Sequence, residues 1–556
     1  MSRARRYGVV GIICLIIISV LGMYLDNVEI SRTNLITFSK HERPRRSIAP
    51  MHLVSSCGPT HPNRTTVSLL SIVRGSETIP WSPTTEDATG LTVVVGDILK
   101  FSLEARDAMG RLKILGGDYW FAIMEDPNKN ASTVGRIVDH ENGLYTLLFV
   151  AGWRGMIRLR ITLVHPAELA KWIRTEYLHS MRAPSWSGLF KFGEHEERSP
   201  CSLSLDAVWS EKCVAKPKAL QYAIIVCNPP KTLPCDSLVS LNGNRALYEQ
   251  DFKKRLPSDR KKYLERPYYY TAITNVPSDI FVTADDSKRQ HLLSDGSSYL
   301  PHCEPGMDTP LTEGYWWNKT WFSLTCGPRV PLNKANVHQC LHDTNIYFTG
   351  DSTTRQWFAA ITEALGLGQP EDHKMSFLLQ RRDKAANLNL TFIFHPLTTH
   401  SQPIFVNLST VKFEADVILE LPRHTCRNVV VFSPWAHFSI WQWEAYTDRL
   451  KGIRAAILVA KQRCPDLIFV YKSPHPLDKS SGFPARDVVF NEMRSLVRDV
   501  FKGLGLMFVD IWDMNLGSPW PIALHMPEDV INQEVSVLLS YLCPLLQSRD
   551  KKKTTV

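Results

Sequence analysis

Residues 345 to 358 read NIYFTGDSTTRQWF, a short apolar run into Gly350, Asp351 and Ser352, followed by Trp357, Phe358, Ile361 and Leu365 at helical spacing. A serine at such a strand-to-helix junction has two uses. It can belong to a helix cap, since Thr353 and Gln356 fit the S/T-x-x-E/Q capping box. It can also be a nucleophile for acyl transfer. Its own N–H and the positive end of the helix dipole lie where an oxyanion would form, and Gly350 permits the tight turn. A nucleophilic serine needs a base, usually histidine, delivered from another strand end. His525, in WPIALHMPED ahead of the last helical stretch, is placed for that role. His437, in SPWAHFSIW, is a second candidate, as an oxyanion donor or a substrate contact. Arg355, one turn into the helix, suits an anionic group or a carboxylate partner. No metal is required by this set.

The segment that must position these residues runs from 341 to 545 and alternates strands with helices. NIYFTG precedes the helix from Ser352 to Leu365, NVVVFSP precedes WEAYTDRLKGIRAAILVAKQRC, and DLIFVYKS precedes RDVVFNEMRSLVRDVFKGLG. LMFVDIWD and a helix over EDVINQEVSVLLSYLC close the series. This is the rhythm of a parallel sheet covered on both faces, a three-layer α/β domain. Sites in such sheets form at the carboxyl ends of strands. Gly350 to Ser352, Pro434 to Phe438, Lys472 to His475 and Asp510 to Asp513 all fall there.

Upstream, residues 80–184 carry β-rich runs such as LTVVVGDILKFSLEARD and MIRLRITLVHP, broken by Gly-containing turns, and predict an immunoglobulin-like β-sandwich. Residues 185–340, rich in cysteine and proline and weak in periodicity, predict a disulfide-stapled connecting region. Its tryptophans Trp316, Trp317 and Trp321 are expected in a small core rather than as a sugar-stacking platform. Residues 546–556 form a basic tail.

At the amino terminus, residues 1–6 contain three arginines and precede the uncharged apolar stretch 7–25, which at about 1.5 Å per residue spans a bilayer core. The charge asymmetry predicts a signal anchor with residues 1–6 in the cytosol and the bulk in the lumen; a cleaved signal peptide is the alternative. Residues 26–79 form a stem, in which Arg43-Pro44-Arg45-Arg46 matches the R-x-[K/R]-R pattern cut by secretory convertases. Sequons at Asn63, Asn130, Asn318, Asn389 and Asn407 agree with passage through the endoplasmic reticulum. Of twelve cysteines, Cys14 lies in the apolar span. None has C-x-x-C spacing, so Cys201, Cys213, Cys227, Cys235, Cys303, Cys326, Cys340 and Cys543 are disulfide candidates rather than zinc ligands. The odd remainder of eleven leaves at least one thiol free or intermolecular. Lys and Arg total 64 against 55 Asp and Glu and are dispersed, which does not make a nucleic-acid footprint.

The ordered set of anchor, β-sandwich, four-cysteine segment, GDSTTRQW, WAHF, VDIWDM and LSYLC resembles the NXPE family, which joins a neurexophilin-like domain to a PC-esterase domain. The resemblance implies an SGNH-hydrolase-like fold whose relatives move acyl groups, chiefly acetyl, on and off sugar hydroxyls. It implies Ser352 as acyl acceptor and His525 as general base, a glycan or glycoprotein acceptor, and acetyl-CoA as a possible donor with no bound cofactor. The alternative is a secreted or anchored binding protein whose neurexophilin-like half engages a cell-surface partner. Two positions depart from the family pattern. PC-esterase domains place an Asp three residues before the histidine, and Ile522 stands there; a glycine is expected where Trp435 stands, and the bulk of that side chain is expected to narrow the site. In serine proteases, disabling the acid that orients the histidine lowers the rate by roughly 10⁴. Either Asp510 or Asp513, at the end of the last strand, replaces it, or a backbone carbonyl orients the ring, or catalysis is largely lost.

Overall fold

The computed structural model describes residues 58–80, 92–179, 186–203, 209–215, 224–244, 252–277, 280–284, 289–294, 300–368, 378–395, 399–400, 406–408, 412–422, 426–477 and 486–554. The expected anchor, the convertase site and Cys57 lie outside them.

The β-rich half is built from two facing sheets. One runs Glu77–Pro80, Thr66–Arg74, Ile98–Glu104, Leu144–Val150, Arg136–Asp139. The other contains Tyr119–Asp126, Ala131–Val134 and Gly155–His165. Ile98–Glu104 buries every second residue, as a strand with one covered face must. Leu99, Phe101, Leu103, Phe149, Ile161 and Leu163 fill the space between the sheets. Residues 185–340 differ from the expected connecting region. Gly314–Trp317 and Thr320–Ser323 extend the second sandwich sheet, and Trp186–Phe192, His195–Ser202, Cys213–Ala215, Ile225–Cys227 and Leu238–Asn244 pair into a third sheet. Their irregular periodicity reflects short strands whose Cys201, Cys213 and Cys227 are buried; Cys201 bridges to Cys227, and Cys213 to Cys235 in an exposed turn.

The carboxyl-terminal half is a mixed sheet with helices on both faces. In chain order its strands are β1 (Asn345–Gly350), β2 (Leu378–Asp383), β3 (Leu388–Phe394), β4 (Asn428–Ser433), β5 (Ile468–Lys472) and β6 (Met507–Val509). They lie in the order β2-β3-β1-β4-β5-β6, parallel except for the edge pair β2–β3. β4 and β5 are buried throughout, which is why they read as continuous apolar runs. Helices α1 (Ser352–Ala364) and α4 (Glu528–Thr554) cover one face, with Trp357, Phe358, Ile361, Val535 and Leu538 in its core. Helices α2 (Trp443–Arg463) and α3 (Arg486–Val500) cover the other, with Leu450, Ile453, Val489 and Met493. Chain connections leave β1 toward β3 and leave β4 toward β5, so the topology reverses between β1 and β4. A crevice at their carboxyl ends follows, and Ser352 stands beside it.

Helix α1 is capped by Asp351, whose side chain accepts from the Thr353 N–H at 2.9 Å. This corrects the capping box expected from Thr353 and Gln356: the Gln356 amide donates instead to the Met526 carbonyl at 2.8 Å. Gly350 is needed for close approach. A Cβ there would lie 2.3 Å from Thr354 Oγ1 and 3.3 Å from the Ser433 carbonyl oxygen, so strand, helix and neighbouring strand converge on the space it leaves.

Gly350→Ala is expected to lower stability by about 1–3 kcal/mol, the usual range for overpacking. Chemical denaturation checks this; an unchanged midpoint would show that the first turn of α1 can move aside.

Candidate active site

The end of β1 and the segment ahead of α4 bring Ser352 and His525 together. Ser352 Oγ lies 2.6 Å from His525 Nε2, across 173 residues of sequence. Ser352 is half-buried and His525 exposed. Partial desolvation by the protein around the ring lowers the His525 pKa from its ordinary 6.5, the Asp351 charge opposes that, and Arg355 and Lys472 add to it. The imidazole is therefore neutral near neutral pH, with a lone pair on Nε2 to receive the serine proton.

Beneath the serine lies a buried polar cluster. Thr353 Oγ1 donates to Asp351 Oδ1 at 2.7 Å and accepts from Trp435 Nε1 at 3.2 Å and Lys472 Nζ at 3.3 Å. Asp351 is fully buried, and its Oδ2 accepts from the Ala436 N–H at 3.3 Å. Burial raises its pKa, yet the neighbouring His395, His437 and Lys472 hold it below the usual carboxylate range. Lys472, on the last residue of β5, is buried and lowered in pKa; Glu534 lies 3.9 Å away and accepts from Trp357 Nε1 at 2.5 Å and Asn515 Nδ2 at 2.9 Å. Trp435 is fully buried, with its ring 4.8 Å from that of His475 and packed on Phe490. It faces the core, so it does not narrow the crevice as its size suggests.

Two expected site residues lie elsewhere. Asp510 accepts from Arg494 Nε and Arg498 Nη2, each at 2.6 Å, and from the Trp512 N–H at 3.2 Å. Burial raises its pKa, but the two guanidinium groups hold it well below the usual range. Asp513 accepts from the Glu313 N–H at 3.0 Å, and burial raises its pKa. Both staple the end of β6 to its surroundings, and neither orients His525. Among the described residues no carboxylate hydrogen-bonds the His525 ring, and Ile522 packs into the apolar cores. His437 is half-buried beside Phe394 and His395, close enough to lower the Asp351 pKa. Arg355, half-buried on α1, forms no ion pair with a described carboxylate; its charge is felt at His525.

A second polar network was not foreseen from sequence. His395, at the end of β3, stands with its Nδ1 3.2 Å from Glu414 Oε1, and Arg449 donates to Glu414 Oε2 through Nε at 3.1 Å and Nη2 at 2.7 Å. All three side chains are buried. The residues are far apart in sequence, so no local pattern announces them.

The disulfides Cys201–Cys227, Cys213–Cys235, Cys303–Cys326 and Cys340–Cys543 join the eight candidate cysteines, and Cys426–Cys464 is a fifth bridge not anticipated. Five bridges belong to an oxidising, secretory or extracellular compartment. Asn63, Asn318 and Asn407 are exposed and Asn130 half-buried. Asn389 is different: its amide donates to Asn345 Oδ1 at 2.8 Å, and Asn345 donates to Asn428 at 2.9 Å, a ladder across three strands that occupies the nitrogen a glycan would need. Trp316 and Trp321 are buried, and Trp316 Nε1 donates to the Met514 carbonyl at 2.8 Å.

The class is thus a β-rich amino-terminal region joined to a mixed α/β domain with a serine–histidine pair at the carboxyl edge of its sheet. Residues 99–269 match the neurexophilin family model, and residues 321–543 match the model for the NXPE family member 4-like C-terminal domain. Carrying both in this order, the chain belongs to the NXPE family. Among solved structures, a chain described as a GDSL-like lipase from Parabacteroides merdae aligns at 13% identity with a TM-score of 0.24, covering 39% of this chain and 100% of its own. A family two carbohydrate esterase from Clostridium thermocellum, in complex with cellohexaose, aligns at 10% identity with a TM-score of 0.22, covering 84% and 95%.

Glu414 has its pKa lowered from 4.5 to about 2: burial raises it, and Arg449 and His395 more than offset that. A depressed carboxylate stabilises the fold above its unfolded pKa and loses that contribution as pH falls through the folded one. Glu414→Gln is therefore expected to cost about 3–5 kcal/mol at neutral pH by leaving Arg449 buried without its charge partner. The gap to wild type should close between pH 4.5 and 2, which denaturation across that window measures.

Proposed function

We propose that this protein transfers acyl groups, chiefly acetyl, to or from glycan hydroxyls through an acyl-Ser352 intermediate in the secretory pathway. The observation that carries the reading is the 2.6 Å contact between Ser352 Oγ and His525 Nε2 at the reversal point of the sheet. His525 Nε2 takes the hydroxyl proton as Oγ bonds to the acyl carbon, and returns it to the leaving group as that bond breaks. In the second half a sugar hydroxyl or water gives its proton to Nε2 while its oxygen attacks, and Ser352 Oγ leaves with that proton. The Ser352 N–H at the start of α1 faces the developing oxyanion, with His437 the second donor or a contact to substrate and Arg355 an anionic-group contact. With acetyl-CoA as donor, the acetyl group needs a route across the membrane, because the site is lumenal. The SGNH-type character of the α/β half and the immunoglobulin-like character of the β-rich half belong to the same reading.

A second reading is favoured by the lack, among the described residues, of a carboxylate on the His525 ring: a binding protein that keeps the esterase fold as a scaffold and engages a cell-surface partner through its neurexophilin-like half. A fluorophosphonate probe separates the two. Residues 47–556 should label in wild type and not in Ser352→Ala, while His525→Ala should slow labelling by roughly 10²–10⁴-fold. Because the base works in its neutral form and its pKa is lowered, the rate should rise through a midpoint below 6.5 and be flat at neutral pH. No labelling where a related active enzyme labels would favour the scaffold.

The amino terminus completes the proposal: a type II anchor over residues 7–25, with release after Arg46. Secreted material should begin at Ser47; N-terminal sequencing that never finds it there would remove the shedding step.

A further inference from the structure

Among the described residues no carboxylate hydrogen-bonds the His525 ring, yet its backbone is held on both sides. His475 Nε2 lies 3.1 Å from the Ala523 carbonyl oxygen, two residues before the base, and Gln356 Nε2 donates to the Met526 carbonyl at 2.8 Å, one residue after it. A carbonyl only accepts, so His475 carries its proton on Nε2. His475 is buried, which pushes its pKa down to about 3 with help from the Lys472 charge, so it stays neutral and this tautomer persists. Its ring lies against Trp435, whose Nε1 donates to Thr353 next to the nucleophile. A continuous buried path therefore runs from the serine turn through Thr353, Trp435 and His475 to the segment that bears the base.

We propose that His475 and Gln356, with Trp435 as the backing for His475, are positioning residues that hold His525 through its backbone, in place of the acid missing at position 522. This rests on the acyl-transfer reading of Ser352 and His525. A triad acid does two things: it fixes the imidazole and it stabilises the imidazolium. Here the two are separated. The carbonyl anchors at 523 and 526 fix where the His525 Cα sits, leaving two side-chain torsions, and the contact to Ser352 selects among the rotamers. The charge of Asp351, buried at the helix cap, favours the protonated ring from a distance. Ile522 then has a different task, packing half-buried against both apolar cores.

The test uses the full-length chain and two readouts. His475→Phe keeps a ring against Trp435 and removes the donor; His475→Gln restores an N–H at nearly the same place. In a Ser352→Ala background, deuterium uptake over residues 518–527 should speed about tenfold or more in His475→Phe and return toward wild type in His475→Gln. With Ser352 present, fluorophosphonate labelling should slow by roughly 10- to 100-fold in His475→Phe, with its pH midpoint unmoved, and recover in His475→Gln. Gln356→Leu carries the same expectation from the other side and decides the matter if His475→Phe does not fold. Wild-type uptake and labelling in His475→Phe or Gln356→Leu would overturn the proposal, as would a His475→Gln no better than His475→Phe. Altered uptake without any wild-type labelling would instead remove the acyl-transfer reading and leave the anchoring in place.

Discussion

The Thr353 hydroxyl gives one hydrogen bond and takes two, and it does so where water does not reach. Its donor bond fixes Asp351, the cap of α1; its two acceptor bonds come from Trp435 after β4 and Lys472 at the end of β5. Three neighbouring strands are thereby registered against one another at the edge where Ser352 stands. A buried polar network is an asset only when its members are satisfied, since each unsatisfied group costs about 1–3 kcal/mol. The charge of Lys472 makes that condition stricter, and Asp351 and Glu534 on either side meet it.

The serine and its histidine were legible because a general constraint governs them: parallel sheets present their loops at the carboxyl edge, and residues at several strand ends must converge there. What was not legible depends on partners distant in sequence. The pattern at Thr353 and Gln356 is a sound local signal for a cap, yet Gln356 spends its amide on Met526, 170 residues onward. Asp510 sits at a strand end like a catalytic acid, but Arg494 and Arg498, one turn apart on α3, claim it. That four-residue spacing of arginines was in the sequence and is the signal that points away from catalysis. Trp435 read as an obstruction because its size was visible and its direction was not. Cys426 and Cys464 stood outside the visible clusters, and their pairing follows only from the close of α2 returning to the start of β4.

The β-rich and α/β halves share a core rather than meeting at a thin interface. Phe121, Trp172, Trp186 and Phe190 belong to the same apolar cluster as Trp441, Tyr446 and Phe490. Polar contacts reinforce it: the Tyr119 hydroxyl donates to the Asp487 carbonyl at 3.2 Å, and Arg174 Nε donates to Glu492 at 2.8 Å. The segment that looked like a connection, residues 185–340, supplies strands to the sandwich and to the third sheet. A neurexophilin-like region in this family member is therefore part of the same folded body as the serine site.

The bridge Cys340–Cys543 ties the short helix Lys334–Leu341, which precedes β1, to the last helix, 203 residues later. It closes the α/β half into a covalent ring that contains Ser352, His475 and His525 together. A protease that cuts any exposed turn inside that ring opens it without dividing it, so Ser352 and His525 stay on one molecule until the disulfide is reduced. Outside the cell, where reductants are scarce and proteases are not, topology of this kind lets a site outlast the continuity of its own backbone.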